Sequence, residues 1–325
     1  VIGDCWKQLE LLLWLGSESS IYSVPGPELD VNRAAAVRVC LRADGVRVVN
    51  AAIDGAESFP RIEPALFVLA LAASPAYGDA RTNAAALAAL CLVARTSAQL
   101  FAFAGFVEGL RGWGRGLRSA IADWYLTKPV KELAREALSQ QGGHWTHRDL
   151  LRLSHPKADT PERNLLFRWL VDGELGGLAP ASLRQVEGVE RARRAHGAGE
   201  VAALVTEYRL AAEMVPEQWL ASATVWEALL DELPYRCMVR HLGAMTSVGL
   251  IAPQSGATAL VVARLMDRGR VLRSGMHPVE LAAARLAYEA PVAPVGEALE
   301  EAFRMAFANA PVSGRRVHVA VEGGG

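Results

Sequence analysis

Apolar residues recur along this chain at helical spacing over segments of roughly 10 to 15 residues, and Pro or Gly interrupts the pattern every ~12 to 20 positions. The spacing predicts helices over 5–14, 32–43, 46–56, 64–73 and 81–94, then over 97–110, 114–126, 130–139, 146–155 and 161–171. A third group covers 200–215, 224–232, 235–247, 255–266, 278–288 and 297–308. Several starts carry their own signal. Thr146-His-Arg-Asp149 and Thr224-Val-Trp-Glu227 fit the capping-box pattern, and Thr160-Pro161 and His277-Pro278 put Pro at the first helical position. The stretch Gly173 to Gly199, with its basic run Arg191-Ala-Arg-Arg194, is the loosest and reads as a long connection holding one weak helix. The single strand-like segment, Arg316 to Val321, runs into Glu322-Gly-Gly-Gly325 and has no sheet to join. Serial helices with short joints predict an all-α fold, stacked in pairs as a solenoid, although no fixed-period signature repeats.

Composition narrows the function classes. At 325 residues, 51% apolar and 21% charged, the chain builds a large core, which excludes disorder for most of it. The longest apolar run, Ala84 to Ala94, is half of the ~20 residues a bilayer needs, so no membrane span is expected. Lys plus Arg number 34 and Asp plus Glu 35, for a formal net charge of −1. A polyanion must therefore meet a local patch, since no general basic coat exists. Cys5, Cys40, Cys91 and Cys237 lie far apart in apolar stretches, as buried free thiols do; no disulfide framework or zinc spacing is present, and the cytoplasm is the default location.

The local patch is found between Glu108 and Lys157, where nine Lys or Arg face five Asp or Glu. His144, His147 and His155 fall in the same window, with Trp113, Trp124 and Trp145. Cations for phosphates interleaved with flat rings for bases suit a single-stranded polynucleotide; a solvated helix face over a Trp-filled core is the plainer reading of the same residues. The helix opening at Thr146 sets His147 and Arg148 in its first turn, where free N–H groups favour an anion. Arg148, Arg152 and His155 then recur at i, i+4 and i+7, while Leu150, Leu151 and Leu153 face inward. Arg111, Arg115 and Arg118 form a similar stripe, with Leu117, Ile121 and Trp124 packed behind it. Two adjacent basic stripes could line one groove. His144 and His147 lack the further converging ligands a metal needs, so no metal or other cofactor is expected. No nucleophile elbow, phosphate loop or dinucleotide fingerprint appears, and catalysis is not expected.

The residues also carry a resemblance. Leu15-Gly-Ser-Glu18, Trp113-Gly-Arg115 with Ala122-Asp-Trp-Tyr125, and His147-Arg-Asp-Leu-Leu-Arg-Leu-Ser-His-Pro-Lys157 resemble the TROVE module of the Ro autoantigen family. Val225-Trp-Glu-Ala-Leu-Leu230, Leu242-Gly-x-Met245 and His277-Pro278 follow in family order. The resemblance implies HEAT-like helical repeats over 1–310 curved into a ring, with 311–325 a linker or the start of a von Willebrand A-like domain. It implies binding of small non-coding Y-type RNA and of single-stranded RNA ends, in RNA quality control or as an RNA tether. The residues it points to are Arg111, Arg115, Arg118, His144, His147, Arg148, Arg152, His155 and Lys157. Two departures matter. The family's basic segment before Gly-Trp-Ser-His is here Ser139-Gln-Gln-Gly-Gly-His144, and the terminal strand meets glycines where the family has Asp-x-Ser-x-Ser. The A-like domain is thus expected to be missing, degenerate or beyond residue 325, and the ring to be open or closed by a protein partner or a larger assembly. A protein-assembly scaffold with weakened RNA binding is the alternative function.

Overall fold

The computed structural model describes residues 2–17, 29–31, 34–59, 61–139, 144–288 and 292–310. The predicted strand at Arg316–Val321 lies outside them, as does all of 311–325. Every regular element among the described residues is helical. The chain divides into two compact units, Val1–Glu190 and Arg191–Gly325.

The first unit begins with α1 (Ile2–Leu15), α2 (Ala35–Ser58), α3 (Glu63–Ala73), α4 (Ala80–Ala88), α5 (Leu90–Val93) and α6 (Ser97–Glu108). It continues through α7 (Arg115–Thr127), α8 (Val130–Ser139), α9 (His147–Ser154) and α10 (Pro161–Asp172). Helix α11 (Arg184–Arg194) spans the boundary between the units. Helix α3 is apolar on all sides, and every residue from Pro64 to Ala73 is buried. A helix without a polar face must be surrounded; α1, α2, α4, α5 and α6 pack around it. Beyond this core α7 packs on α4, α5 and α9, while α8 packs on α6 and α10. Leu117, Ile121 and Trp124 of α7 are buried as the spacing predicts.

The second unit holds α12 (Ala198–Tyr208), α13 (Ala223–Leu230), α14 (Tyr235–Ser247), α15 (Gly256–Leu265), α16 (Arg268–Ser274), α17 (Pro278–Ala287) and α18 (Ala293–Ala306). Each contacts near neighbours in sequence, α12 on α13, α14 on α15, α17 on α18, the local pattern of stacked helical repeats.

Several boundaries differ from the sequence reading for identifiable reasons. The two helices expected over 32–56 join across Asp44, which has φ −160 and accepts the Arg47 N–H at 3.0 Å, so the break survives as a capped kink. The helix expected over 81–94 is interrupted at Ala89. Arg209, in the left-handed region at φ 52, stops α12 well before 215. The Thr224 capping box does not form; α13 starts one residue earlier, after Ser222, with no side-chain cap. The span 173–199 is more ordered than expected, with a 3-10 turn at Ala181–Leu183 and the basic run inside α11. Helix α16 was not expected; Asp267 caps it by accepting the Arg270 N–H at 3.1 Å. All four cysteines are free, but Cys91 and Cys237 are only half-buried.

Two contacts carry measurable consequences. A Cβ at Gly45 would lie 2.0 Å from Thr82 Oγ1, where α2 crosses α4. Gly45→Ala is therefore expected to cost about 1–3 kcal/mol by overpacking, read from urea denaturation. Arg163 is buried and its Nη1 donates to Tyr125 O at 2.7 Å and Lys128 O at 2.9 Å, at the end of α7. Arg163→Met keeps most of the volume but strands those carbonyls, so a loss of about 2–4 kcal/mol is expected in the same measurement.

Candidate nucleic-acid interface

Helices α7 and α9 pack against each other, so the two basic stripes read from the sequence belong to neighbouring elements. Helix α9 is short and starts abruptly. Thr146 Oγ1 accepts the Asp149 N–H at 3.3 Å while the Asp149 carboxylate accepts the Thr146 N–H at 3.0 Å, the expected reciprocal capping box. Its end is equally sharp: His155 adopts φ 47 and its N–H bonds Leu151 O at 2.9 Å. Between these stops His147, Leu150 and Leu151 form the buried face. Arg148 and Arg152 project outward, and His155 and Lys157 are exposed beyond the helix.

His147 departs from the expected picture. It is not a surface residue awaiting an anion; it is 7% exposed, with Phe101 edge-on at 4.9 Å and Tyr125 at 5.7 Å between ring centroids. The reason is positional, since residue 147 precedes Leu150 by three and Leu151 by four, on the same helix face. The Tyr125 hydroxyl and His147 Nδ1 are 2.9 Å apart. With the phenol donating, the ring proton sits on Nε2, which is enclosed and has no partner among the described residues. Burial, opposed by a smaller pull from Glu136, pushes the imidazole pKa down to about 4.

Arg111 also departs from its stripe. It precedes α7, whose first residue is Arg115, and its Nη1 donates to Ala73 O at the end of α3. Its guanidinium is thus engaged in joining two helices. Arg115 and Arg118 are exposed on α7, as expected. Leu153 faces inward only in part, being half-buried.

His144 is exposed and its Nε2 lies 2.8 Å from Glu108 Oε2, at the last residue of α6. Beside this pair is an open cleft of about 400 Å³ lined by Glu108, His144, Trp145, Asp149, Arg152 and Leu153. Trp145 leans on Trp113 with ring centroids 5.0 Å apart, and its indole N–H is enclosed with no acceptor among the described residues. The sequence reading missed Glu108 here, because nothing local marks a carboxylate 36 residues from its partner. Among the described residues no group of three or more His, Cys, Asp or Glu is placed to hold a metal ion, and no helix is long and apolar enough to cross a membrane.

The TROVE domain model matches residues 42–172 and 209–297, which include α6 to α10 and the cleft. The chain belongs to the TROVE family. It is 33% identical to the RNA-binding protein RO60 of Deinococcus radiodurans, over 97% of this chain and 62% of that protein. It is 28% identical to the RNA-binding protein RO60 of Caenorhabditis elegans, again over 97% of this chain and 62% of the relative. The crystal structure of the Deinococcus radiodurans Ro (RSR) protein superposes with a TM-score of 0.85 at 33% identity, covering 95% of this chain and 64% of that one. This TROVE chain therefore spans less than two thirds of the length of the relatives it matches.

The depressed His147 pKa makes the stability of the TROVE fold depend on pH. The unfolded chain protonates this imidazole near 6.5 and the folded chain only near 4. Between those values the unfolded state binds the extra proton, so stability falls as pH falls. Its share of the loss is about 3 kcal/mol by pH 4 and vanishes above about pH 7. Urea denaturation at several pH values should show this component in the wild type and not in His147→Phe.

Proposed function

We propose that this chain binds small non-coding RNA of the Y type and single-stranded RNA ends, with the exposed face of α7 and α9 as a contact surface for single-stranded RNA. The observation that carries the reading is a set of cations: Arg115, Arg118, Arg148, Arg152 and Lys157 are exposed and make no ion pair among the described residues. Exposed cations elsewhere are of both kinds: Arg95 pairs with Glu57 at 2.9 Å and Arg285 with Glu300 at 3.2 Å, while Arg42, Arg81 and Arg240 make no ion pair among the described residues, so the five are set apart by lying on or beside two helices that pack together. Cations left free on neighbouring helices suit a ligand that brings its own negative charge. The relatives' own description as RNA-binding proteins supports the same reading.

On this reading the chain is a tether or a quality-control receptor for RNA, in the cytoplasm, and performs no catalysis. Residues 1–310 act as the TROVE module of a helical ring, with 311–325 leading toward an A-like domain or a protein partner that closes it. His144 and His155 serve as accessory contacts, while His147 and Arg111 act indirectly, by holding the platform.

The test is titration of single-stranded RNA at several salt concentrations. Five phosphate contacts predict a slope of log K against log salt of ~−3.5, at about 0.7 per contact. Arg148→Ser with Arg152→Ser should flatten that slope by ~1.4 and weaken binding at least tenfold at low salt. The melting temperature should not change, because both side chains are exposed. A flat salt dependence would overturn the proposal. The scaffold alternative draws support from the neutral segment Ser139-Gln-Gln-Gly-Gly143, and predicts no nucleic-acid absorbance at 260 nm in the purified protein.

A further inference from the structure

The cleft beside α9 has a composition that phosphate binding alone does not require. A surface for the backbone needs cations, yet two of the six lining residues, Glu108 and Asp149, are acids. Asp149 is half-buried and spends its Oδ2 on the N–H and the hydroxyl of Thr146, bonds that the helix cap depends on. Glu108 is committed only in part. His144 occupies its Oε2, which leaves Oε1 without a partner among the described residues on a half-exposed carboxylate that lines the cleft. The other lining groups are an indole, a leucine and the Arg152 guanidinium, which has no ion pair among the described residues.

We propose that this cleft is a base-reading pocket that selects guanine in single-stranded RNA. Trp145 lines the cleft and offers an aromatic ring for stacking, held by Trp113, tilted at 56°, and by His144, edge-on at 5.8 Å. Guanine presents two adjacent donors, N1–H and the 2-amino group, which a carboxylate accepts together. It presents two adjacent acceptors, O6 and N7, toward Arg152, whose guanidinium has five N–H donors and so can address the base while keeping its phosphate contact. Adenine lacks the first pair, since its N1 is an acceptor, and uracil has neither pair complete. Cytosine offers an amino group but beside it an acceptor that faces the carboxylate unfavourably. The cleft volume, about 400 Å³, falls within the range of small-ligand sites. The inference rests on the RNA-binding reading and adds base selection to it.

The experiment is fluorescence anisotropy with three labelled heptamers of uridine whose central position is guanosine, inosine or adenosine, and an all-uridine control. Wild type should prefer guanosine to adenosine by about tenfold, with inosine, which lacks the 2-amino group, in between. Glu108→Gln replaces one acceptor oxygen by a donor and should bring the guanosine-to-adenosine ratio close to one, with an unchanged melting temperature. Equal affinity of wild type for all four oligonucleotides would overturn the pocket and leave RNA binding intact. A guanosine preference that Glu108→Gln does not alter would also overturn it, placing the selection elsewhere. Failure of every oligonucleotide to bind would overturn both.

Discussion

The carbonyls at helix C-termini are the groups this architecture has to satisfy, and it does so with side chains from two or more helices later in the chain. A helix ends with carbonyls that have no intrahelical donor, and burying them unpaired is costly. Ala73 O at the end of α3 receives Arg111, 38 residues on; Tyr125 O at the end of α7 receives Arg163, also 38 on. Leu230 O at the end of α13 receives Arg264, 34 residues on. Trp124 and Lys128 do the same for Ala94 O and Arg95 O after α5, and Asn309 for Val271 O and Met276 O. These bonds recur at separations of 30 to 38 residues in both units, although the amino acids that supply them differ. A repeat that the residue identities conceal is therefore visible in the hydrogen bonds.

That joinery determines which cations remain for a ligand. Arg111 and Arg163 are consumed by carbonyls, and Lys128 by Arg95 O together with Glu132 and Glu136. Glu136 in turn accepts from the N–H and hydroxyl of Ser97 at the start of α6. Helices α6, α7, α8 and α10 are thus tied from inside. Tyr125, two residues before the end of α7, passes the constraint to His147 and so to the first turn of α9. A short helix of eight residues has little stability of its own. Its capping box and its buried His147 hold it in place, which lets Arg148 and Arg152 stay on the surface without any packing duty.

Most of the helices were legible because their apolar spacing is strong and their caps are local. Thr146 and Asp149 lie three residues apart and bond as the pattern predicts, whereas Thr224 fits the same pattern and is bypassed because α13 begins one residue earlier. The site was legible in its charge and less so in its roles. His147 was read by residue type, as a ring beside an arginine, when its spacing to Leu150 and Leu151 placed it in the core. Arg111 was read as one turn of a stripe, but Gly112 and Gly114 end the helical register before α7, and a carbonyl 38 residues earlier claims its charge. What the sequence could not convey was pairing across the fold, of which the bond between Glu108 and His144 is the clearest case.

That pair also bears on the proposed binding of a polyanion by a chain of net charge −1. In the segment before Trp145, where the family resemblance implies cations, this chain has neutral residues and then His144, which spends one nitrogen on an acid. An acid beside the RNA face weakens attraction to every phosphate within a Debye length, about 8 Å at physiological salt. The same acid can contribute affinity only where a base supplies donors directly to it. Neutral residues and a histidine paired to an acid, where the resemblance implies cations, would exchange strength that is blind to sequence for contacts that depend on the base, since phosphate contacts position a strand and base contacts specify it. In the proposed arrangement the unpaired cations of α7 and α9 would bring a strand to the surface, and the acid would decide which nucleotide settles on Trp145.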